Sequence, residues 1–236
     1  MLLDTLPAAE CKRLSPHLEL IMLSSGEILC EPGRKLCYAY FPTTCIVSLL
    51  NVMADGATTG VAVAGSEGFI GVTLFMEGDA MPELAVVQSA GYAYRLRKRL
   101  LMEEFGRYGG RRKGALHHLM LRYIRALMLQ TEQMLACTRH HSVDQQICLW
   151  LLLYLDRLSG NELALTQEMI ARMLGVRREG ITEAAGKLQR AGLIHYSRGH
   201  ITVLDRRGLE AQVCECYQLV RTEFDCLIDS FHSMMR

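Results

Sequence analysis

The sequence lacks the features of several large classes of protein. No apolar run reaches the roughly 18 residues that a membrane-spanning helix needs, and the N-terminus has no basic leader, so neither a span nor a secretory signal is expected. The nine cysteines are odd in number and scattered over the whole chain, which favours reduced thiols in a cytoplasm over a disulfide framework. Because residues 18–96 contain no histidine, and no phosphate-binding glycine loop or nucleophile motif is present, a cupin-like barrel enzyme is only a minor alternative.

Charge is distributed unevenly along a chain whose net charge is close to zero. The 236 residues carry 26 Lys plus Arg and 25 Asp plus Glu. Residues 1–94 have a net charge of −6, residues 95–208 of +10, and the remainder of −3. Half of the residues are hydrophobic, which excludes general disorder. The asymmetry indicates two parts and makes a polyanion a candidate partner of the second.

The front of the chain, residues 18–96, has short apolar runs broken by nine glycines. Examples of these runs are Cys45–Val52, Gly60–Ala64, Leu84–Gln88 and Tyr92–Leu96. Short β-rich runs with frequent turns are typical of an antiparallel sandwich or barrel.

A long helix is predicted after Gly110, with apolar side chains spaced alternately four and three residues apart. Such a seam often packs against a copy of itself, and the alternative is that it packs on its own domain. The first reading predicts a homodimer, with Gln130 as a polar residue that sets the register. The predicted dimer residues are Leu116, Met120, Tyr123, Leu127, Gln130 and Met134. Because residues 111–113 are all basic, and positive charge is unfavourable at a helix start, another group must hold that end.

The most informative segment is residues 165–194, where the pattern predicts a helix-turn-helix. Thr166 is placed to cap the first helix. Ala171 suits the crossing of the two helices, Gly175 suits a turn with positive φ, and Ile181 closes the small core between them. A β-hairpin with its turn at residues 197–200 follows, as in the wing of a winged helix.

Polar side chains mark one face of this predicted unit. The start of a recognition helix enters the major groove, where Arg pairs with guanine and Glu accepts from cytosine, and a wing tip suits phosphate contact. The alternative is a solvated, salt-bridged surface. The predicted DNA-contacting residues are Thr166, Gln167, Arg177, Arg178, Glu179, Thr182, Glu183, Lys187, Arg198 and His200.

These features together resemble the Crp/Fnr family of bacterial transcription regulators. The resemblance covers nearly the whole chain and is most specific from Leu165 to Asp205; residues 67–75 resemble a segment of the family's cyclic-nucleotide-binding fold. It implies a homodimer that binds a two-fold-symmetric operator in promoter DNA, with RNA polymerase as a further partner. The sequence departs from the family pattern at Arg177 and Glu183, so the operator sequence is not implied.

The signal sensed by the front domain is not specified by the resemblance. Cyclic-nucleotide binders of the family have a Gly-Glu pair and a downstream Arg, whereas here Val72 follows Gly71 and residues 79–85 contain no Arg. Because a buried phosphate needs a paired cation, cAMP binding is not expected. The cysteine spacing disfavours an iron–sulfur cluster, and Cys137 with His140 is too small a ligand set to predict a metal. We therefore expect no cofactor, and a thiol-redox-responsive regulator is the alternative.

The predicted architecture is α+β. It has a β-barrel or jelly-roll sensor domain (1–110), a dimerisation helix (111–140), a winged helix-turn-helix (141–209) and a helical tail (210–236). The predicted function is a cytoplasmic DNA-binding regulator. The other class weighed is a scaffold that does not bind DNA, which the basic helix and wing disfavour.

Overall fold

The front of the molecule is an antiparallel β-sandwich. The computed structural model describes residues 1–76, 78–107 and 114–234, with side chains up to residue 227. The front strands are β1 (Glu19–Leu23), β2 (Ile28–Cys30), β3 (Tyr38–Pro42), β4 (Ile46–Val52), β5 (Thr58–Ala64), β6 (Leu84–Ser89) and β7 (Gly91–Arg97). They form two sheets, ordered β1-β7-β3 and β2-β6-β4-β5. The four apolar runs named above all lie in strands, β4 to β7, and the α+β class is confirmed.

The remaining elements are mainly helical. The helices are α1 (Ala8–Leu14), α2 (Lys98–Gly106), α3 (Ala115–His140), α4 (Val143–Leu155), α5 (Gln167–Leu174), α6 (Arg178–Arg190), α7 (Arg206–Gln212) and α8 (Cys216–Met234). A third, small sheet is ordered β8-β10-β9 and contains β8 (Glu162–Leu163), β9 (Ile194–Ser197) and β10 (His200–Val203). Helices α1 and α2 carry no signal that the sequence analysis used. The predicted domain boundary at residue 110 lies outside the described residues, and the one at residue 209 falls within α7.

The start of α3 is held by a carboxylate from α1. The buried side chain of Glu10 accepts hydrogen bonds from the backbone N–H groups of Ala115 (3.0 Å) and Leu116 (2.9 Å). A negative charge at a helix N-terminus satisfies N–H groups that have no partner in the helix and complements its dipole. The sequence predicted that some group must stabilise this helix start, because residues 111–113 are basic, and Glu10 is that group. Residues 111–113 themselves lie outside the described residues.

A second buried carboxylate ties α1 to α2. Glu104 accepts from Arg13 Nε (3.0 Å) and Arg107 Nε (2.9 Å). Burial alone raises the pKa of Glu104, but the two arginines lower it more, so the net pKa lies below its ordinary value of 4.5. The carboxylate is therefore charged in the folded protein at neutral pH.

The predicted dimer seam of α3 lies against its own chain. Tyr123 is fully buried, with its ring centroid 4.9 Å from that of Phe69, and α3 packs on α8 and β5. Gln130 is also fully buried, so its amide cannot set the register between two chains. Five of the six residues are 0–3% exposed and Leu127 is half-buried; the five are Leu116, Met120, Tyr123, Gln130 and Met134. The structure thus corrects the face of the helix: the heptad pattern identified the side that packs inside the chain.

Candidate nucleic-acid interface

Helices α5 and α6 form the helix-turn-helix. The Thr166 hydroxyl accepts from the backbone N–H of Met169 (3.1 Å) and caps α5, as predicted. Gly175 has φ +63°, in the left-handed region that favours glycine, and turns the chain between the helices. Ala171 and Ile181 are buried where the helices meet. The small core and the turn therefore follow the sequence pattern closely.

The first turn of α6 presents its polar side chains to solvent. Arg177 is the residue before the helix, and Arg178 and Glu179 begin it; all three are exposed. Thr182 and Glu183, one turn later, are exposed as well. The start of this helix is therefore accessible from solvent.

Part of this surface is already hydrogen-bonded within the chain. The Thr182 hydroxyl lies 2.8 Å from Gln167 Oε1 and joins the two helices. Lys187 Nζ lies 3.2 Å from Glu183 and 3.3 Å from Asp144, and these contacts raise the pKa of Lys187. Exposed ion pairs are weak because water screens them, so Lys187 and Glu183 can exchange these partners for others.

The predicted wing is the hairpin of β9 and β10. Ser197 pairs with His200, and the two residues between them, Arg198 and Gly199, both have positive φ (+48° and +83°). Positive φ at both central residues defines a type I′ turn, which matches the twist of a hairpin. Arg198 and His200 are exposed at this tip.

The wing tip and the start of α5 lie together. A Cβ added to Gly199 would stand 3.2 Å from Thr166 Cγ2, so the tip touches the cap of α5. The backbone N–H of Gln167 also donates to the hydroxyl of Tyr196 on the wing (3.2 Å). Thr166, Gln167 and Arg198 therefore belong to one surface beside the recognition helix.

Helix α4 and the helix-turn-helix also pack against the front sandwich, which the sequence analysis did not foresee. The hydroxyls of Tyr154 on α4 and Ser48 on β4 are 2.7 Å apart and buried. Gly60 on β5 faces the Trp150 ring so closely that an added Cβ would lie 2.9 Å from two ring carbons. Contacts of this kind depend on tertiary packing, and no local pattern marks them.

A buried ion pair completes this contact. Arg157 Nε and Glu67 Oε1 are 2.6 Å apart, with side-chain exposures of 4% and 11%. The Arg157 guanidinium also lies over the ring of Phe224 on α8, 5.2 Å from its centroid. A change in the sandwich near Glu67 or β5 would therefore reach the DNA-binding part through directly contacting side chains.

Three of the buried thiols suit a structural role. Burial raises the pKa of Cys30 to about 12, of Cys45 to about 11 and of Cys148 to about 12. Because the thiolate is the reactive form, protonated thiols of this kind are inert at neutral pH. Cys137, Cys214 and Cys216 lie together with His141 and are considered separately below.

The basic segment, the exposed first turn of α6 and the wing are together the features of a winged helix-turn-helix. Residues 163–208 contain eight basic and four acidic side chains. Residues 145–212 match the Crp-like helix-turn-helix domain family. No curated protein matches the sequence significantly.

Solved structures of similar fold extend this finding to the rest of the chain. A candidate Crp/Fnr-family transcriptional regulator from Eubacterium rectale is 18% identical with a TM-score of 0.69, covering 89% of this chain and 96% of that one. A CRP-family transcriptional regulator from Thermus thermophilus is 18% identical with a TM-score of 0.67, covering 81% and 95%. The c-di-GMP-responsive global regulator CLP from Xanthomonas campestris is 18% identical with a TM-score of 0.63, covering 84% and 100%. At these identities the structures establish the fold.

Residues 145–212 thus belong to the Crp-like helix-turn-helix domain family, and the chain as a whole has the fold of the Crp/Fnr regulator structures that it matches. The resemblance drawn from residues 165–205 is confirmed for this domain and for the fold. No helix in the described part of the chain is long and apolar enough to cross a membrane.

Proposed function

We propose that the protein is a cytoplasmic regulator that binds a two-fold-symmetric promoter operator as a homodimer. The observation that carries the proposal is the exposed first turn of α6, held on a packed helix-turn-helix beside a wing. A recognition helix presented in this way reads base edges in the major groove. The sensor (1–110), dimerisation (111–140), DNA-binding (141–209) and tail (210–236) assignments are part of this proposal, as is contact with RNA polymerase.

The side chains divide into two groups by their place on this surface. Arg178 and Glu179 are the main base-reading residues, because they are the first two residues of the exposed turn. The residues beside them are Arg177, Thr182 and Glu183. The second group lies at the edges of the surface and suits contacts with phosphates, which position a protein without reading sequence. This group contains Thr166, Gln167, Lys187, Arg198 and His200.

The dimer forms through the outer face of α3. Leu121, Met128 and Leu135 are exposed by 47%, 57% and 70%, and they are spaced seven residues apart. A strict heptad of exposed apolar side chains on a 26-residue helix is typical of a coiled-coil contact between chains. Each of these three residues directly follows a residue of the predicted seam. The two apolar stripes therefore have the same spacing, and the sequence pattern selected the one that is buried.

The signal reaches DNA through the packing of α4 on the sandwich. A ligand or modification that moved β4 or β5 would shift Tyr154 and Trp150, and with them the recognition helices. The coupling free energy is limited by how differently the signal binds the two arrangements. The signal itself is not part of the proposal.

Selection of bound duplexes from a random DNA pool, at stated salt, tests the operator. We expect an inverted repeat with half-site centres about 10 base pairs apart, one helical turn. Arg178→Ala should remain dimeric and lose about 10- to 100-fold of the discrimination at one base position per half-site. A variant that still selects the same sequence as strongly would contradict the assignment of α6.

Two further variants separate base reading from phosphate contact. Arg198→Asn keeps the turn, because Asn tolerates positive φ, but removes the charge. It should weaken binding to all sequences alike and reduce the slope of log affinity against log salt by about 1 per chain. Arg99→Ala, an equally exposed arginine on α2, is the matched control and should change neither property.

A further inference from the structure

Four potential metal ligands meet where α3 ends and α8 begins. They are Cys137, His141, Cys214 and Cys216, and all their ligand atoms lie within 4.8 Å of one another. The Sγ atoms of Cys137 and Cys214 are 3.6 Å apart, and Cys216 Sγ is 3.6 Å from His141 Nδ1. The three thiols are buried. Residues 77 positions apart in the sequence thus form one compact cluster.

These separations match the edges of a tetrahedron around zinc. Zn²⁺ binds thiolate sulfur at about 2.3 Å and imidazole nitrogen at about 2.0–2.1 Å, so tetrahedral ligands lie about 3.8 Å (S to S) and about 3.6 Å (S to N) apart. Two of the six ligand pairs, the sulfurs of Cys137 and Cys214 and the Cys216 Sγ with His141 Nδ1, are close to these values, and every pair lies within 4.8 Å. A disulfide between Cys137 and Cys214 would instead require the sulfurs to move to about 2.05 Å.

Local structure holds each ligand in place. Cys137 and His141 stand four residues apart, on one face at the end of α3, and the His141 N–H donates to the Cys137 carbonyl (3.0 Å). The Gln146 amide donates to the His141 carbonyl (2.9 Å). Cys216 is the first residue of α8, and Cys214 lies two residues before it.

An outer carboxylate completes the arrangement. His141 Nε2 lies 3.4 Å from Glu215 Oε2, while Nδ1 faces the thiols. Metal-bound histidines usually donate their second ring N–H to a carboxylate or carbonyl, which fixes the tautomer and orients the ring. The carboxylate of Glu215 beside His141 is therefore a second feature of a metal site, and it does not depend on the distances between the ligands.

We propose that Cys137, His141, Cys214 and Cys216 bind one Zn²⁺ ion in a closed, structural site. Three thiolates and one imidazole suit zinc and disfavour Mg²⁺ or Ca²⁺, which prefer oxygen ligands. On binding, the three thiols release their protons to solvent and the imidazole stays neutral, so the site has a net charge of −1. The ion fixes the end of α3 to the start of α8, next to the junction from which α4 leads into the DNA-binding part.

The sequence pattern offered only Cys137 with His140, and it indicated packing for the Cys214-Glu215-Cys216 segment. In the structure His140, the last residue of α3, is exposed, whereas His141, the residue after it, faces the thiols. Only the fold brings these two weak signals together.

Metal analysis of the purified full-length protein, prepared without chelator, tests the site. We expect about one zinc per chain in the wild type, and less than about 0.1 in Cys214→Ser and in His141→Asn. Cys226→Ser, which removes an exposed thiol on α8 outside the cluster, is the matched control and should retain the full zinc content. Equal zinc content in the ligand variants and the wild type would overturn the assignment.

Because the ligand variants can fail to fold, the wild type provides a second measurement. Removal of the metal with a chelator should lower the melting temperature, and added Zn²⁺ should restore it. Co²⁺ added instead should give the visible bands of a four-coordinate thiolate site. The zinc site would be refuted if the fully reduced wild-type protein bound neither ion. It would also be refuted by a Cys137–Cys214 disulfide in protein prepared under reducing conditions, and that result would favour a thiol-redox function.

Discussion

Truncation of Leu135 is the sharpest test of which face of α3 forms the dimer. Leu135 is 70% exposed in the single chain. A fully buried leucine contributes about 2 kcal/mol, so covering the remaining surface in both chains contributes about 3 kcal/mol to the dimer. Leu135→Ala should remove most of this, which corresponds to a rise of about 100-fold in the dimer dissociation constant.

The assay is sedimentation equilibrium over a range of protein concentrations. Leu20→Ala is the matched control, because Leu20 is 55% exposed on β1, away from α3, and its loss should leave the dimer unchanged. Met120→Ala, on the buried face, should instead lower the free energy of unfolding of each chain by about 2–5 kcal/mol. A dimer that survives Leu135→Ala at wild-type affinity would refute the assignment of the outer face.

Three other predictions concern the folded chain. Gly60→Ala places a methyl group against Trp150 and should destabilise the chain by about 1–3 kcal/mol in urea unfolding, whereas Gly106→Ala, where the added methyl meets open space, should be near neutral or slightly stabilising. Glu67→Gln leaves a buried guanidinium without its counter-charge and should cost about 3 kcal/mol by the same measurement; an unchanged unfolding midpoint would contradict the role of this ion pair. The folded pKa of Glu104 is depressed, so its stabilisation is present above pH 4.5 and is lost as the pH falls through the lower folded pKa. Glu104→Gln should therefore flatten the fall in melting temperature as the pH drops below 4.5, and an unchanged acid slope would count against it.

The contact between α4 and the sandwich links the front part of the chain to the helix-turn-helix through packed side chains. Tyr154 touches β4, Trp150 packs on Gly60 of β5, and Arg157 is paired with Glu67. All of these groups are buried or nearly so, and packed interiors transmit small displacements. In the function we propose, a signal that altered this interface would move the recognition helices without acting on the residues proposed to contact DNA.

The helix-turn-helix was predictable from sequence because its constraints are local. Gly175 is needed where the backbone has positive φ, Thr166 caps the helix that it precedes, and Ala171 and Ile181 meet within one supersecondary unit. The two-residue turn at Arg198 is local in the same sense. The position of the strands β4 to β7 was also predictable, since each is a short apolar run between turn residues.

The packing partners were not predictable, because they depend on residues far apart in the chain. Two apolar stripes run along α3 one residue apart, and a helical period cannot say which faces the chain's own interior; the packing of Tyr123 on Phe69 decides it. The cluster of Cys137 and Cys214 likewise joins segments whose spacing carries no motif. The sequence by itself therefore determined the DNA-binding unit and the class of fold, where short-range geometry decides. Only the tertiary structure decided the free face of the long helix, the contact between the two parts and the thiol–imidazole cluster, because each depends on which distant surfaces bury one another.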